Sequence, residues 1–255
     1  MVRTPVKAVV FDLFNTLVRW EPERLPLLEV NGRRYRSTLP PVLAYLQGQL
    51  GAAFDRDRFV AVYHAVMAEI QAERASHGIE VLCCERFERA VTRCALKPAG
   101  EAARRLAVSL TKVHMAQVRA VTYAPPTWAS AVRALASRYR LGLLSNFDDA
   151  ETGRLVVADT GVADLFAQVV ISAEVGLRKP NPAIFRLMLE RLGLEAASVL
   201  FVGDTPAEDV AGAKGVMMPC AWVNCRDEPF PQGLPKPDLV VADLAALAEL
   251  LGCPA

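Results

Sequence analysis

Asp12 directly follows a short apolar stretch at residues 8–11, and a carboxylate in this position has two interpretations. The stretch is rich in β-branched and aromatic residues, a pattern typical of a strand that is buried on both faces of a parallel sheet. Ligands of open α/β sheets bind beyond the carboxyl ends of the strands, so Asp12 could act there as a nucleophile. The alternative is a carboxylate that only caps the turn after the strand. For Asp12 alone the second interpretation is favoured, and three later stretches change that balance.

Two of these stretches offer groups that bind an anion. Ser145 and Asn146 follow the apolar residues 141–144, and a hydroxyl beside the backbone N–H groups of a turn can bind phosphate or carboxylate oxygens. The alternative is ordinary turn chemistry, since Ser and Asn favour turns. Lys179 supplies a compact ammonium group that can neutralise both a nucleophile and a transferred group. We therefore predict that Ser145 and Lys179 bind substrate and take part in catalysis, and that Asn146 binds substrate.

The residues on either side of Lys179 have simpler interpretations. Asn181 and Pro182 have the pattern of a helix N-cap followed by a proline at the first helical position, which would fix the direction of Lys179. Arg178 is predicted to be a solvated surface charge.

The last stretch carries two more carboxylates, Asp204 and Asp209. Asp204 ends an apolar stretch, and Asp209 lies on the first turn of the predicted helix that follows. With Asp12 they form three carboxylates that converge on one place, and such a cluster needs a cation. Hard oxygen ligands favour Mg²⁺. Thr205 and Glu208 have the Thr-x-x-Glu spacing of a capping box, so Glu208 is predicted to be structural.

These stretches carry a resemblance to a known family. Residues 12–17, Asp-Leu-Phe-Asn-Thr-Leu, resemble the first motif of the haloacid dehalogenase-like (HAD) hydrolases, which has the form Asp-x-Asp-x-Thr. The stretches at Ser145, Lys179 and Asp204 match the other three motifs of the family in order. The resemblance implies a Mg²⁺-dependent phosphohydrolase that acts on a small phosphorylated metabolite through an aspartyl-phosphate intermediate.

The resemblance also implies roles for individual residues. Asp12 would be the nucleophile and, with Asp204 and Asp209, a metal ligand. The backbone carbonyl of Phe14 would bind the metal too, and Thr16 would take part in catalysis by helping to hold the loop.

Phe14 departs from the pattern of the family's phosphatases, in which an Asp at this position protonates the leaving alcohol and then activates water. Three functions stay open. The first is a phosphohydrolase with an incomplete acid–base set. The second is a 2-haloacid dehalogenase, which also has an aromatic residue here, although dehalogenases have Ser and Asn in place of Gly203 and Asp204, and their later Tyr falls at Phe185. The third is a phosphate-ligand binder or regulator that kept the metal pocket.

Apolar strand patterns alternate with helical patterns at the start of the chain and after residue 125, which indicates a parallel sheet with helices on both faces. We predict an α/β fold, a doubly wound, Rossmann-like parallel sheet, from residues 1–18 and 121–255. Residues 19–120 have helical periodicity and one Asn-Gly hairpin turn, at Asn31 and Gly32. The resemblance implies that this insert is a helical cap over the active site.

The composition of the 255 residues narrows the class of protein further. Hydrophobic residues make up 53%, charged residues 22%, and the formal net charge is +1, so nothing favours a nucleic-acid or anionic-membrane partner. The six cysteines and three histidines lack zinc-site spacing. Without a disulfide framework, a signal peptide or a stretch of about 20 apolar residues, the chain is expected to be cytoplasmic. No pattern indicates an oligomeric state.

Overall fold

The structure is a computed structural model and describes residues 5–30, 32–97 and 100–253. Its strands are β1 (Ala8–Phe11), β2 (Arg19–Trp20), β3 (Leu27–Val30), β4 (Arg33–Arg36), β5 (Thr122–Tyr123), β6 (Arg140–Ser145), β7 (Phe166–Ile171), β8 (Val199–Gly203), β9 (Cys220–Val223) and β10 (Leu239–Val241). Its α-helices are α1 (Leu39–Leu50), α2 (Arg56–His77), α3 (Cys83–Arg93), α4 (Glu101–Ala120), α5 (Pro126–Ala136), α6 (Ala150–Asp159), α7 (Ser172–Val175), α8 (Pro182–Leu192), α9 (Ala211–Gly215) and α10 (Leu244–Leu250).

A six-stranded sheet in the order β10-β9-β8-β1-β6-β7 fixes the place of the predicted site. All of its strand pairs are parallel. After β1 the chain adds β6 and β7 on one side, then returns to add β8, β9 and β10 on the other. The order therefore reverses between β1 and β8, where ligands of such sheets bind beyond the strand ends. Asp12 and Asp204 directly follow these two strands.

Both faces of the sheet are covered, as the unbroken apolar pattern of β1 predicts. Val9 and Phe11 pack in a core with side chains of α5, α6 and α10 on one face. Ala8 and Val10 pack on the other face with side chains of α8 and α9. The predicted doubly wound α/β fold is confirmed.

The helix that the sequence predicts after β8 is not continuous. The chain forms a wide, π-type turn at Pro206–Val210 before the short helix α9. Such turns displace the residues that follow them by part of a helical turn, and they are frequent at functional sites.

The chain divides into two compact units, which we name the sheet unit (Met1–Trp20, Gly78–Glu80 and Tyr123–Ala255) and the helical unit (Glu21–His77 and Val81–Thr122). The helical unit contains α1 to α4 and the antiparallel β3–β4 hairpin, in which Val30 pairs with Arg33. Asn31 of the predicted turn lies outside the described residues. The role of the helical unit as a cap stays a prediction.

Other structural features bear on the class of protein. The structure joins none of the six cysteines in a disulfide. Within the described parts of the chain, no helix has both the length and the apolar surface that a bilayer crossing requires.

Candidate active site

Three carboxylates meet at the carboxyl edge of the sheet. The backbone N–H of Asp12 donates a hydrogen bond to the carbonyl oxygen of Val202 at 2.8 Å, which joins the end of β1 to the end of β8. One carboxylate oxygen from each of Asp12, Asp204 and Asp209 lies within 4.8 Å of the others. The structure thus brings together the three acids that the sequence predicts to converge.

Lys179 lies between two of these carboxylates. Its side chain is 1% exposed, and its Nζ donates to Oδ1 of Asp12 and to Oδ1 of Asp209, each at 2.6 Å. The ammonium therefore holds the predicted nucleophile next to an acid that comes from 197 residues further along the chain, on the turn after β8.

The turn after β8 positions Asp209 through a glycine and a backbone N–H. A Cβ on Gly203 would lie 2.3 Å from Oδ2 of Asp209, so only glycine leaves room for this carboxylate. The N–H of Thr205 donates to the same oxygen at 2.9 Å. The predicted capping box between Thr205 and Glu208 is wrong. The wide turn places Asp209, and not Glu208, next to the Thr205 N–H. The Thr205 hydroxyl donates to Oδ1 of Asp204 at 3.1 Å.

Glu208 and Arg178 belong to the same network, which differs from the solvated surface charge predicted for Arg178. The Arg178 side chain is only 15% exposed, and its guanidinium donates to Oε1 of Glu208 at 3.0 Å and to Oε1 of Glu80 at 3.3 Å. Arg178 is therefore no solvated surface charge. The fold surrounds it with two acids that are distant from it in the sequence, and local patterns carry no signal of such contacts.

Asn146 fixes the backbone of Lys179. Its Oδ1 accepts from the Lys179 N–H at 2.7 Å, and its Nδ2 donates to the Lys179 carbonyl at 2.9 Å and to Oε2 of Glu208 at 2.8 Å. As predicted, Asn181 caps α8 by accepting from the N–H of Ala183. In the structure, then, Asn146 contacts Lys179 from one side while the capped helix begins on the other.

Two buried hydroxyls at this edge have no hydrogen-bond partner among the described residues, Ser145 Oγ and Thr16 Oγ1. Both residues are 0% exposed. Ser145 ends β6, which lies next to β1 in the sheet. A buried polar atom without a partner lowers the free energy of unfolding. A hydrogen bond from either hydroxyl to a ligand oxygen would remove that penalty.

Burial makes the acids of this site unusually basic. It raises the pKa of Asp12 to about 6 in spite of the Lys179 ammonium, and it raises the pKa of Asp204 to about 6 with help from the nearby Asp209 carboxylate. Burial likewise raises the pKa of Asp209 to about 7. For Lys179, burial is outweighed by the two carboxylates, and its pKa lies above the ordinary value. A single ammonium among three carboxylates leaves an excess of negative charge, which a cation would relieve.

The cluster fits a hard divalent cation. Its donors are carboxylate oxygens, which Mg²⁺ prefers, and their mutual distance of up to 4.8 Å allows them to share one ion. Asp12, Asp204 and Asp209 are therefore the described residues that could hold it.

Phe14 lies in a tight loop directly after Asp12. Asn15 has a φ of 57°, a left-handed conformation that Asn tolerates, and its N–H donates to the carbonyl of Val18 at 2.6 Å. The half-buried Phe14 ring packs against Phe147 with ring centres 4.9 Å apart. Sequence reasoning missed Asn15, whose side chain lowers the pKa of Asp204, although its tolerance of a left-handed turn was a usable signal.

Known proteins resemble this chain over most of its length. A model of the haloacid dehalogenase-like hydrolases matches residues 6–216. Phosphoserine phosphatase from Thermus thermophilus is 32% identical over 256 residues, which cover 96% of this chain and 100% of that protein. (S)-2-haloacid dehalogenase 2 from a Pseudomonas species is 33% identical over 111 residues, or 44% of this chain and 48% of that protein.

A solved structure shares the fold. The 2-haloacid dehalogenase from Pseudomonas syringae pv. Tomato DC3000 aligns with a TM-score of 0.70 over 97% of this chain and 98% of that one, at 23% identity. The residues that the four stretches contribute meet at one edge of this fold, and both the family model and a full-length relative extend across them. The chain therefore belongs to the haloacid dehalogenase-like hydrolases, and it is a hydrolase.

Proposed function

We propose that this hydrolase is a Mg²⁺-dependent phosphohydrolase that acts on a small phosphorylated substrate through a phosphorylated form of Asp12. The observation that carries the proposal is the buried cluster in which Lys179 contacts both Asp12 and Asp209 while Asp204 lies beside them. The full-length similarity to a phosphoserine phosphatase supports the same reaction class.

The metal would be held by Asp12, Asp204, Asp209 and the carbonyl of Phe14. When bound there, Mg²⁺ would polarise the phosphoryl oxygens and offset the negative charge of the transition state. The raised pKa values of the three acids support this assignment, because burial without a cation favours their protonated forms.

The chain's own residues would carry two covalent steps. In the first, a carboxylate oxygen of Asp12 attacks phosphorus, and the bond from phosphorus to the leaving oxygen breaks with its electron pair on that oxygen. The Lys179 ammonium would reduce the repulsion between the carboxylate and the phosphoryl group, and the Ser145 hydroxyl would bind a phosphoryl oxygen. In the second step, water attacks the same phosphorus, and phosphate leaves as Asp12 is restored.

Phe14 would restrict which substrates complete these steps. The family resemblance implies that an acid at this position protonates the leaving oxygen and later activates water, and a phenyl ring does neither. Acyl and aryl phosphates, whose leaving groups depart without a proton, would therefore be hydrolysed far faster than alkyl phosphates. With such substrates the second step would limit turnover, and phosphorylated Asp12 would accumulate.

A 2-haloacid dehalogenase is the second candidate, favoured by the aromatic residue at Phe14 and by the dehalogenase relative. In that reaction Asp12 would attack carbon, and halide would leave without a proton. Two observations weigh against it. Asp204 adds a half-buried carboxylate beside Asp12, and Phe185, which falls where dehalogenases have a Tyr, is fully buried with its ring 5.2 Å from that of Phe201.

One set of assays separates the candidates. The purified protein is incubated with p-nitrophenyl phosphate, acetyl phosphate and 2-chloropropionate, with Mg²⁺ or with a chelator, and Asp12→Asn is the control. We expect hydrolysis of the two phosphate compounds that disappears with the chelator and in Asp12→Asn. Metal-independent chloride release would select the dehalogenase, and absence of phosphate release from either compound would contradict the phosphohydrolase.

A further inference from the structure

Glu80 is a buried acid that comes from a three-residue segment between α2 and α3. Its side chain is 1% exposed. The segment Gly78–Glu80 belongs to the sheet unit, although the helices before and after it belong to the helical unit. A carboxylate that is removed from water in this way needs charged or hydrogen-bonding partners, and the partners of Glu80 lead to the site.

We propose that Glu80 is a positioning residue of this hydrolase, which acts through Ser172 and Arg178 to fix the two loops that carry Phe147 and Lys179. The expected change in kcat rests on the proposed function, whereas the expected change in backbone exchange does not.

The backbone of the segment pairs with the residues just before Lys179. Ile79 and Leu177 form an antiparallel bridge, the N–H of Glu80 donates to the carbonyl of Gly176 at 3.0 Å, and the N–H of Arg178 donates to the carbonyl of Gly78 at 3.2 Å. Gly78 has a φ of 61°, and a Cβ there would lie 2.9 Å from Nδ2 of Asn181. This close approach and the backbone hydrogen bonds hold the segment beside the residues that precede Lys179.

The first connection runs to Phe147, beside Phe14. The Ser172 hydroxyl has two possible acceptors, Oε2 of Glu80 at 2.6 Å and the carbonyl of Phe147 at 3.1 Å, and the shorter distance favours donation to the Glu80 carboxylate. The same hydroxyl oxygen accepts from the N–H of Phe147 at 2.8 Å. Because a serine hydroxyl has a single proton, the bond to Glu80 orients the oxygen lone pairs that receive the Phe147 N–H. Glu80 therefore fixes the loop that also contains Ser145 and Asn146.

The second connection runs to Lys179. Arg178 donates to Glu80 and, with its other terminal nitrogen, to Oε1 of Glu208 at 3.0 Å. Glu208 in turn accepts from Asn146, whose amide group contacts both the N–H and the carbonyl of Lys179. Arg178 thus shares one guanidinium between two acids, and loss of the Glu80 charge would leave it free to shift toward Glu208.

The consequence for the reaction is geometric. Phosphoryl transfer depends on the position of the charged groups, and displacements of about 1 Å from remote changes can cost about 10²-fold in rate. In the contacts described, Glu80 touches none of the three carboxylates of the cluster. Replacement of Glu80 should therefore lower the rate of the chemical step more than it lowers the affinity for metal.

Two variants and one matched control test the proposal. Glu80→Gln keeps the shape of the side chain but removes its charge, and Ser172→Ala removes only the connection to Phe147. Glu174→Gln is the control, because Glu174 also pairs with an arginine of the sheet unit, Arg154 at 2.7 Å, and accepts from the N–H of Ile171 at 3.4 Å, but hydrogen bonds neither the Ser172 hydroxyl nor Phe147 nor Lys179 in the contacts described.

Hydrogen exchange of backbone amides, followed by mass spectrometry, is the readout that does not depend on activity. In Glu80→Gln we expect exchange at least about 10-fold faster for peptides that contain Phe147 and Lys179, and unchanged exchange for β1. In Ser172→Ala we expect the increase for the Phe147 peptide alone. Neither peptide should change in Glu174→Gln.

Kinetics and metal binding complete the test. For Glu80→Gln we expect kcat for acetyl phosphate to fall by about 10- to 100-fold, with KM and Mg²⁺ affinity by calorimetry changed by less than about 3-fold. Exchange in both peptides equal to that of the unchanged protein would overturn the inference, as would an equal loss of kcat in Glu174→Gln. If the unchanged protein hydrolyses no phosphate compound, the proposed function fails while the exchange result still decides the role of Glu80. If Glu80→Gln does not fold, Ser172→Ala decides by the same measurements at Phe147.

Discussion

Each of the two units of this protein contains a cation that bridges two carboxylates at 2.6 Å, and the two environments are opposite. In the sheet unit, Lys179 contacts Asp12 and Asp209 at 2.6 Å with 1% of its side chain exposed. In the helical unit, Arg89 contacts Glu73 and Glu85 at the same 2.6 Å with 25% of its side chain exposed.

The environments reverse the effect on the acids. The hydrogen bond from Arg89 holds the pKa of Glu73 below its ordinary value, whereas burial raises the pKa of Asp209 to about 7 despite the Lys179 ammonium. Water screens the first group of charges, and the hydrogen bond from Arg89 favours the ionised form of Glu73. In the second group, burial opposes ionisation of the acids, and one ammonium does not balance three carboxylates. A bound cation would balance this charge, as expected for a site that binds a cation and an anionic substrate.

The largest effect is expected from a fourth carboxylate in the buried group. Phe14→Asp would supply the missing acid and base, so we expect alkyl-phosphate turnover to rise by up to about 10²- to 10⁴-fold. Steady-state assays with an alkyl and an aryl phosphate measure this, after circular dichroism has shown that the variant folds. Equal turnover of the alkyl phosphate before and after the change, in a folded variant, would mean that another group already supplies the proton.

Removal of a carboxylate tests whether the buried group holds a metal. Asp204→Ala should weaken Mg²⁺ binding by at least about 10-fold, because the ion loses a charged ligand. Calorimetric titration of both proteins gives the affinities, and Glu174→Gln serves as the control. The same affinity in Asp204→Ala would remove Asp204 from the metal site.

The pH dependence of stability should show the raised pKa values directly. In the metal-free protein, the folded state holds protons on Asp12, Asp204 and Asp209 up to about pH 6 to 7, whereas the unfolded chain releases them near pH 3.8. The free energy of unfolding should therefore fall, on the order of 1 to 3 kcal/mol, as the pH rises through this window. Thermal melts at pH 5 and 7.5 should accordingly give a larger Mg²⁺-induced rise of the melting temperature at pH 7.5. A Mg²⁺-induced rise of the melting temperature that is equal at pH 5 and pH 7.5 would contradict the raised pKa values of the three acids.

The smallest effect is expected from the exposed group. Arg89→Gln breaks its ion pairs, and because water already solvates these side chains, the melting temperature should fall by at most about 4 °C. Its kcat for acetyl phosphate should equal that of the unchanged protein. A drop in kcat at unchanged melting temperature would show that the helical unit's ion pairs matter for the reaction and would break the contrast between the units.

The sequence predicts those parts of the site that depend on strand ends. Asp12 and Asp204 follow apolar stretches, and parallel strands in one sheet bring their carboxyl ends to the same edge, so the convergence of these acids follows from pattern and topology. The match of its stretch to a family motif identifies Lys179 as a site residue. Its hydrogen bonds to Asp12 and Asp209 join residues that are distant in the sequence, so only the structure reveals them.

The parts that sequence reasoning missed depend on contacts over long distances or on a local irregularity. Glu80 and Arg178 are 98 residues apart, and no periodicity relates them. Thr205 and Glu208 have the spacing of a capping box, but the wide turn at Pro206–Val210 gives the role of capping acid to Asp209. Glu208 is thereby free to contact Asn146 and Arg178, which adds its carboxylate to the network around Lys179.

The most direct test of the proposed reaction is to trap the covalent intermediate. Rapid mixing with ³²P-labelled acetyl phosphate and Mg²⁺, acid quenching within milliseconds, and peptide mapping would show where the label resides. We expect label on the peptide that contains Asp12, in an amount that approaches one phosphate per protein during turnover because Phe14 leaves the second step without a base. Asp12→Asn should remain unlabelled. Fast hydrolysis without trapped label, or label that persists in Asp12→Asn, would contradict covalent catalysis by Asp12.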